Sequence, residues 1–320
     1  MNRRTALLMG LMKRLPKPEP PTPAYLARVR HELPPVLARV VLGSMGSDVA
    51  CENITIPVDG GEVKARIYRP RGTDAVVPLV VNFHGGGFVY GNLTAADWLC
   101  GNLAGRARVT VVSVDYRLAP EFPAPIPYQD CLAATTWLVE HAERLRVDPA
   151  RVSLMGESAG GNLAALVALA GRDRTRTDPR WPAYEHQILL YPVTDLTLSS
   201  ASVSELEEAP MLRRTSLDWY GRRYLPQGLP TSLAGDDPWV SPIFAVDHSE
   251  LAPTLIFAAG QDPLRDDALR YADKLRGAQV MMRTVLYPEA IHGFASIPLF
   301  EPAARQALDE IVVELGRPPA

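Results

Sequence analysis

The chain has 320 residues, of which 47% are hydrophobic and 22% charged, and its formal net charge is −3. This length fits one α/β enzyme domain around a single core, and the apolar content excludes a chain that is disordered throughout. The slightly acidic balance indicates no nucleic-acid partner, since such proteins usually carry a strongly basic domain. No apolar run approaches the ~20 residues that a membrane span needs, so we expect no stable membrane insertion.

The first 45 residues predict one or two short amphipathic helices. A threonine–proline pair at positions 22–23 is typical of a helix start, because the hydroxyl caps the first turn and proline is tolerated there. Apolar residues then recur every three or four positions as far as residue 40, and two prolines at 34–35 must break or kink this stretch. The apolar stretch at 6–12 lacks a small-residue cleavage site after it, which favours a short helix over a signal peptide.

A hairpin and then a parallel sheet are predicted next. Alternating strands at 53–58 and 62–68 flank Asp59-Gly60-Gly61, a typical hairpin turn. Beyond them, near-continuous apolar runs, typical of strands buried on both faces, alternate with helical patterns. The runs lie at 79–83, 109–114, 151–155, 188–191, 254–258 and 280–286, and the helical patterns at 126–145, 161–170, 263–275 and 302–315. This alternation predicts a doubly wound, mostly parallel α/β fold.

The stretch from about residue 195 to 250 interrupts the alternation. It contains several prolines and no apolar run typical of a buried strand. A long insertion between two core strands is usually a functional lid or cap. Its aromatic side chains are predicted either to line a pocket or to form the cap's own small core; they are Trp219, Tyr220, Tyr224 and Trp239.

Residues 156–160 form a G-x-S-x-G motif between a predicted buried strand and a predicted helix. In that context the motif is a nucleophile elbow, a sharp turn that lifts the serine hydroxyl clear of the sheet. The helix N-terminus beneath it favours developing negative charge. Ser158 is therefore the candidate nucleophile, and an ordinary turn serine is the alternative.

A second glycine-rich motif, His84-Gly85-Gly86-Gly87, directly follows the strand predicted at 79–83. Glycines leave the backbone N–H groups unobstructed, and ligand sites in such sheets lie at the C-terminal ends of strands. We therefore expect the loop to bind an oxyanion rather than to be a plain flexible turn. A phosphate cradle is the rival function, but the sequence has neither GxxxxGK[ST] nor GxGxxG.

A serine nucleophile needs a base, which in this fold comes last in the chain order serine, acid, histidine. His292 lies just past the strand predicted at 280–286, at the edge where a catalytic loop is expected. By contrast, His186 precedes a strand and His248 lies in the insertion. His292 is therefore the candidate base.

The acid that orients the base should follow the preceding strand, at 254–258. Asp262 lies in the turn directly after it. Asp266 and Asp267 lie in the first turn of the next predicted helix, where carboxylates also interact favourably with the helix dipole. We therefore prefer Asp262 as the acid, with the other two as alternatives.

Three cysteines, Cys51, Cys100 and Cys131, are too few and too widely spaced for a disulfide framework or a CxxC metal pattern. This usage is typical of free thiols in a reducing compartment. We therefore expect a cytoplasmic protein with no metal site.

The order of these motifs resembles that of the hormone-sensitive-lipase-like family of esterases within the α/β-hydrolase superfamily. The resemblance covers about residues 77–294 and departs from the family pattern at three positions. The matching segments are HGGG at 84–87, YRLAPE at 116–121, GESAGG at 156–161, DPLRD at 262–266 and HGF at 292–294. The departures are Glu157, where aspartate is more common, Gln261 and Ala268.

The resemblance implies a carboxylesterase that uses Ser158, Asp262 and His292 as its catalytic triad and needs no cofactor. It implies oxyanion donors on the glycines from Gly85 to Gly87 and on Ala159. The segment at 116–121 has no obvious chemical role. We expect it to support the site by packing and ion pairing rather than to take part in catalysis.

The resemblance also implies one α/β-hydrolase domain with a helical cap. The cap is built from about residues 1–45 and 195–250, and the catalytic core from about 50–194 and 251–320. We expect hydrolysis of short- to medium-chain carboxylic esters through an acyl-enzyme, because a cap over the pocket limits substrate length. Amide hydrolysis, acyl transfer and non-enzymatic ligand binding are the alternatives. The expected partner is a small-molecule ester, and the sequence leaves a homo-oligomer open.

Overall fold

The computed structural model of this protein describes residues 23–31, 42–73, 75–178, 180–228 and 232–316. The helix predicted at 6–12 and the break predicted at 34–35 lie outside these residues. The helix start predicted at 22–23 is present, because α1 begins at Pro23 and runs to Arg30.

Eight strands form one sheet in the described part of the chain, in the spatial order β1-β2-β4-β3-β5-β6-β7-β8. The strands are β1 (Val49–Val58), β2 (Gly61–Pro70), β3 (Val77–Phe83), β4 (Thr110–Asp115), β5 (Val147–Glu157), β6 (His186–Leu190), β7 (Thr254–Gln261) and β8 (Met282–Ile291). β1 and β2 form the predicted hairpin, and β2 also pairs antiparallel with β4. All other neighbours pair in parallel, which confirms the predicted fold class.

Helices cover both faces of the sheet. After α1 they are α2 (Leu93–Ala107), α3 (Ile126–Glu140), α4 (Ala142–Leu145), α5 (Ala159–Thr177), α6 (Ala201–Glu205), α7 (Arg214–Tyr224), α8 (Arg265–Gly277) and α9 (Pro302–Leu315). Side chains of α3, α5 and α8 belong to one apolar core, and those of α2 and α9 to the other. Successive residues of β3 alternate between them, since Val81 lies in the first core and Val80 in the second.

None of the helices in the described ranges is long and apolar enough to cross a membrane. The helix α2 was not predicted from the sequence, because ten of its fifteen residues are buried and no polar stripe marks a solvent face. Its only local signal is Asn92, whose side chain caps the first turn by accepting a hydrogen bond from the N–H of Ala95 at 3.2 Å.

The insertion between β6 and β7 contains α6, α7 and a short 3₁₀ helix at Pro242–Phe244. No strand occurs in those of its residues that the structure describes. Among its aromatic side chains, Tyr220 has the predicted pocket-lining role. Tyr224 is fully buried and stacks on Phe88 at 3.7 Å, whereas Trp239 is more than half exposed.

Candidate active site

Ser158 occupies the sharp turn between β5 and α5. Its backbone has φ 55° and ψ −119°, a strained conformation for a residue with a side chain. The turn packs so closely on the end of β3 that a Cβ at Gly160 would lie 2.0 Å from the carbonyl oxygen of Phe83. The Ser158 N–H donates to the carbonyl of Leu190 at 2.9 Å, which fixes the turn against β6.

His292 and Asp262 lie on neighbouring loops at the same edge of the sheet. Together with Ser158 they form a chain of hydrogen bonds. His292 Nε2 is 2.9 Å from Ser158 Oγ, and His292 Nδ1 is 2.7 Å from Asp262 Oδ2. A carboxylate can only accept, so Nδ1 carries the proton and Nε2 is left to accept from the serine hydroxyl. Asp262 is fully buried, and its other oxygen accepts from the N–H of Leu264 at 2.8 Å.

The four other residues considered as base or acid make different contacts. His186 faces Ser153 at 3.4 Å, and the imidazole of His248 lies 2.9 Å from the carbonyl oxygen of Pro242. Asp267 accepts hydrogen bonds from the N–H groups of Thr194 and Asp195, where the insertion begins, and Asp266 accepts one from the N–H of Ser202. Of these candidates, the structure connects only Asp262 and His292 to Ser158.

The glycine loop at 85–87 lies beside the serine turn. Gly87 has φ +62°, and a Cβ there would lie 2.5 Å from the ring of Tyr220. Among hydrogen bonds between described residues, none uses the N–H of Gly86 or Gly87. Gly85 differs, because its N–H donates to Glu157 Oε1 at 3.4 Å. Ala159 is the first residue of α5, so its N–H has no partner within the helix.

A cavity of about 290 Å³ opens above Ser158. Its apolar lining comes mainly from the insertion and the loop before it: Val193, Leu196, Leu198, Met211, Leu212, Leu217 and Tyr220. Glu157, Ser296 and His292 also line the cavity. The arrangement presents a hydroxyl, an imidazole and free backbone N–H groups to an apolar chamber, which is suited to acyl transfer from a neutral substrate.

The segment at 116–121 supports the glycine loop. The Tyr116 hydroxyl donates to the carbonyl of His84 at 2.7 Å, and the N–H of Ala119 donates to the carbonyl of Phe88 at 2.9 Å. Arg117 forms an ion pair with the buried Asp130 at 2.6 Å. These contacts fit the supporting role expected from the sequence.

No group of three or more His, Cys, Asp or Glu side chains in the described part of the chain could hold a metal ion. Two of the cysteines, Cys100 and Cys131, are buried, and burial raises the pKa of both thiols well above the ordinary value. Neither is therefore suited to act as a nucleophile.

Curated relatives match this chain over most of its length. The carboxylic ester hydrolase LipN of Mycobacterium tuberculosis is 40% identical over 246 residues, which cover 77% of this chain and 64% of LipN. The carboxylesterase NlhH of the same species is 36% identical over 278 residues, which cover 84% of this chain and 83% of NlhH. The match therefore spans just under two thirds of LipN but most of NlhH.

Solved structures of hydrolases are also similar to this chain over nearly its whole length. An α/β-hydrolase enzyme from the metagenome of Lake Arreo, Spain, has a TM-score of 0.88 at 33% identity, with 98% of each chain covered. A hyperthermophilic esterase from the archaeon Pyrobaculum calidifontis has a TM-score of 0.83 at 34% identity, with 97% of this chain and 96% of that chain covered.

A family model described as the alpha/beta hydrolase fold matches residues 80–296, so the protein is an α/β hydrolase. Within that class, the chain belongs to the hormone-sensitive-lipase-like family. The resemblance stated from the motifs is confirmed.

Proposed function

We propose that this protein is a serine carboxylesterase. The observation that carries the proposal is the hydrogen-bonded chain from Ser158 through His292 to Asp262 beneath an apolar cavity. Two relatives of this chain, LipN and NlhH, are named as ester hydrolases, and this supports the proposal.

In the acylation half-reaction, Ser158 Oγ attacks the ester carbonyl carbon while His292 Nε2 takes the hydroxyl proton. The carbonyl oxygen becomes an oxyanion, to which the N–H groups of Gly86, Gly87 and Ala159 donate. When the tetrahedral intermediate collapses, the bond to the alcohol oxygen breaks and His292 Nε2 protonates that oxygen. The alcohol leaves, and the acyl group remains on Ser158.

Deacylation repeats these steps with water as the nucleophile. His292 Nε2 takes a proton from the water, whose oxygen attacks the acyl carbon. The second tetrahedral intermediate expels Ser158 Oγ, which recovers its proton from His292, and the carboxylic acid leaves. In both halves Asp262 holds the imidazole in one tautomer and stabilises the imidazolium.

The proposed substrates are neutral esters with short- to medium-chain acyl groups. The apolar lining of the cavity accommodates an acyl chain, and the cavity volume of about 290 Å³ limits the length of that chain. We propose that the insertion at 195–250 and the segment at 1–45 together form the cap that encloses it. Small-molecule esters are then the partners, and a cytoplasmic location stays a prediction.

The replacement Ser158→Ala tests the nucleophile. We expect it to fold with an unchanged melting temperature and to lose ester hydrolysis by on the order of a millionfold. Stopped assays with a chromogenic ester measure the loss, and a phosphonate that labels the wild type should leave the variant unlabelled. Residual turnover within tenfold of the wild type would contradict the assignment. A matched ester and anilide pair separates esterase from amidase activity.

A further inference from the structure

Glu157, the residue before the nucleophile, carries a carboxylate that is buried beside the active site. Its side chain is only 8% exposed. Oε2 accepts from the hydroxyl of Tyr191 at 2.5 Å, and the Ser296 hydroxyl lies 2.8 Å from Oε2 and 3.0 Å from Oε1. A buried carboxylate is unfavourable unless its oxygens are hydrogen-bonded, and hydrogen bonds to a charged acceptor are stronger than neutral ones. The two hydroxyls are therefore held firmly.

Both hydroxyls are connected to the segment that carries His292. Ser296 ends the short 3₁₀ helix at Phe294–Ser296, four residues after His292. The Tyr191 hydroxyl also accepts from the N–H of Ala295 at 3.2 Å, and its ring contacts the His292 ring edge-on, with centroids 5.0 Å apart. Burial raises the pKa of Tyr191 well above its ordinary value, so its hydroxyl remains a donor.

The same carboxylate also contacts the glycine loop. Gly85 donates its N–H to Oε1 at 3.4 Å, and a Cβ at Gly85 would lie 3.2 Å from Glu157 Cγ. One side chain thus joins the strand that ends at the nucleophile, the loop that carries His292 and the loop that carries the proposed oxyanion donors. Those three segments are far apart in sequence, and each supplies one part of the proposed chemistry.

We propose that Glu157 is a positioning residue, which acts through Ser296 and Tyr191 to hold His292 at hydrogen-bond distance from Ser158. This inference rests on the proposed esterase function. Proton transfer between Ser158 and His292 requires a fixed geometry, and a displacement of about 1 Å can lower a rate by about 100-fold. None of these hydrogen bonds involves the apolar side chains of the insertion that line the cavity, so substrate binding should depend on them much less than turnover does.

Ser296→Ala tests the proposal, with Ser296→Thr as the variant that keeps the hydroxyl. We expect Ser296→Ala to lower kcat per titrated active site by about tenfold or more, with KM within about twofold of the wild type and an unchanged melting temperature. Ser296→Thr should restore most of kcat. Ser199→Ala is the matched control, because it removes a serine hydroxyl that donates to a carboxylate, Asp195 Oδ2, at 2.7 Å outside the cavity.

A double-mutant cycle shows whether Ser296 acts through Glu157. In Glu157→Gln, whose amide cannot accept all of these bonds, we expect a comparable loss of kcat, and the further replacement Ser296→Ala should change it by less than about twofold. Tyr191→Phe keeps the ring against His292 and removes the second hydroxyl, so it provides the same test if Ser296→Ala folds poorly.

Three results would overturn the inference: a kcat for Ser296→Ala within twofold of the wild type, an equal loss in Ser199→Ala, or fully additive losses in the double variant. Absence of ester hydrolysis by the wild type would instead contradict the proposed function itself, so the two failures are distinguishable.

Discussion

Asp262 differs from its neighbouring carboxylates in what surrounds it. It is fully buried, and its two oxygens are taken by His292 Nδ1 and by the N–H of Leu264. Asp266 is close in sequence but accepts from the N–H of Ser202 at 2.9 Å, on the insertion. Because Asp266 is bonded to the insertion and not to the imidazole, it does not fix the tautomer of His292, so the roles of the two aspartates are not interchangeable.

We predict that Asp262→Asn lowers kcat by about 10⁴-fold, because the amide no longer holds Nδ1 as the protonated nitrogen. Asp266→Asn is the matched control and should stay within about tenfold of the wild type. The measurement is kcat for a chromogenic ester, normalised by phosphonate titration. An inactive Asp266 variant beside an active Asp262 variant would place the acid one helical turn later.

At the scale of elements, the N-terminus of α8 joins the core to the insertion. Asp267 Oδ2 accepts from the N–H groups of Thr194 and Asp195 at 3.0 and 3.1 Å. Its Oδ1 accepts from the Ser200 hydroxyl at 2.5 Å. Arg270, one turn further along α8, pairs with Asp195 at 2.8 Å. The start of the insertion is thus tied to the helix that follows the proposed catalytic acid.

Burial raises the pKa of Asp267 to about 7; the charge of Asp195 adds to the shift, and the hydrogen bonds from Ser200 and Thr194 oppose it. In the unfolded chain an aspartate has a pKa near ~4. Between these values the folded protein keeps a proton that the unfolded chain has lost. This group therefore lowers the free energy of unfolding as the pH rises from about 4 to about 7.

We predict that Asp267→Asn removes this pH dependence, since asparagine is close in shape to the neutral acid, keeps one acceptor oxygen and does not titrate. Relative to the wild type, the variant should gain stability as the pH rises through that interval, by no more than about 4 kcal/mol. Urea denaturation at pH 5, 6, 7 and 8 measures the difference. A difference that stays constant with pH would show that Asp267 is ionised to the same extent in the folded and the unfolded chain, and would contradict the prediction.

At the scale of the whole molecule, α1 and the insertion contact the same active-site loops from distant parts of the chain. Leu26 of α1 is buried in the core, and Arg30 donates to the carbonyls of Val89 and Ala119 at 2.8 and 2.5 Å. From the insertion, α7 packs Tyr220 on Gly87. We therefore expect α1 to contribute to the proposed cap.

We predict that deletion of residues 1–40 lowers turnover and shifts the preferred acyl chain length, because it removes the contacts of Leu26 and Arg30 and admits water to the site. Ser158 should remain reactive toward small phosphonates. Deletion of residues 1–22 is the matched control, since it keeps α1. The measurement is kcat/KM over a series of p-nitrophenyl esters, and identical profiles for all three proteins would remove α1 from the cap.

A chelator tests whether the activity of the whole molecule depends on a metal ion. The proposed chemistry uses only protein groups, so we predict that prolonged dialysis against EDTA leaves kcat and KM unchanged. The assay is repeated after addition of zinc or calcium. Activity that is lost on dialysis and restored by either ion would require a metal in the mechanism.

Local patterns in the sequence were enough to name the residues that the site joins. Ser158, Asp262 and His292 each follow an apolar run that is a strand in the structure. The carboxyl ends of parallel strands meet at one edge of a sheet, so spacing along the chain predicts proximity there. The glycine loop before Phe88 was predictable for the same reason.

Only the tertiary structure decided which residues hold that site in place. Glu157 and Ser296 are 139 positions apart, and Arg30 and Val89 are 59 apart, and no local period relates either pair. Asp267 shows the limit most clearly, since the sequence allows a helix-dipole role and the structure gives a buried contact with the insertion. Local spacing determines strands, turns and the edge at which they end, whereas contacts between distant segments arise from packing of the whole chain.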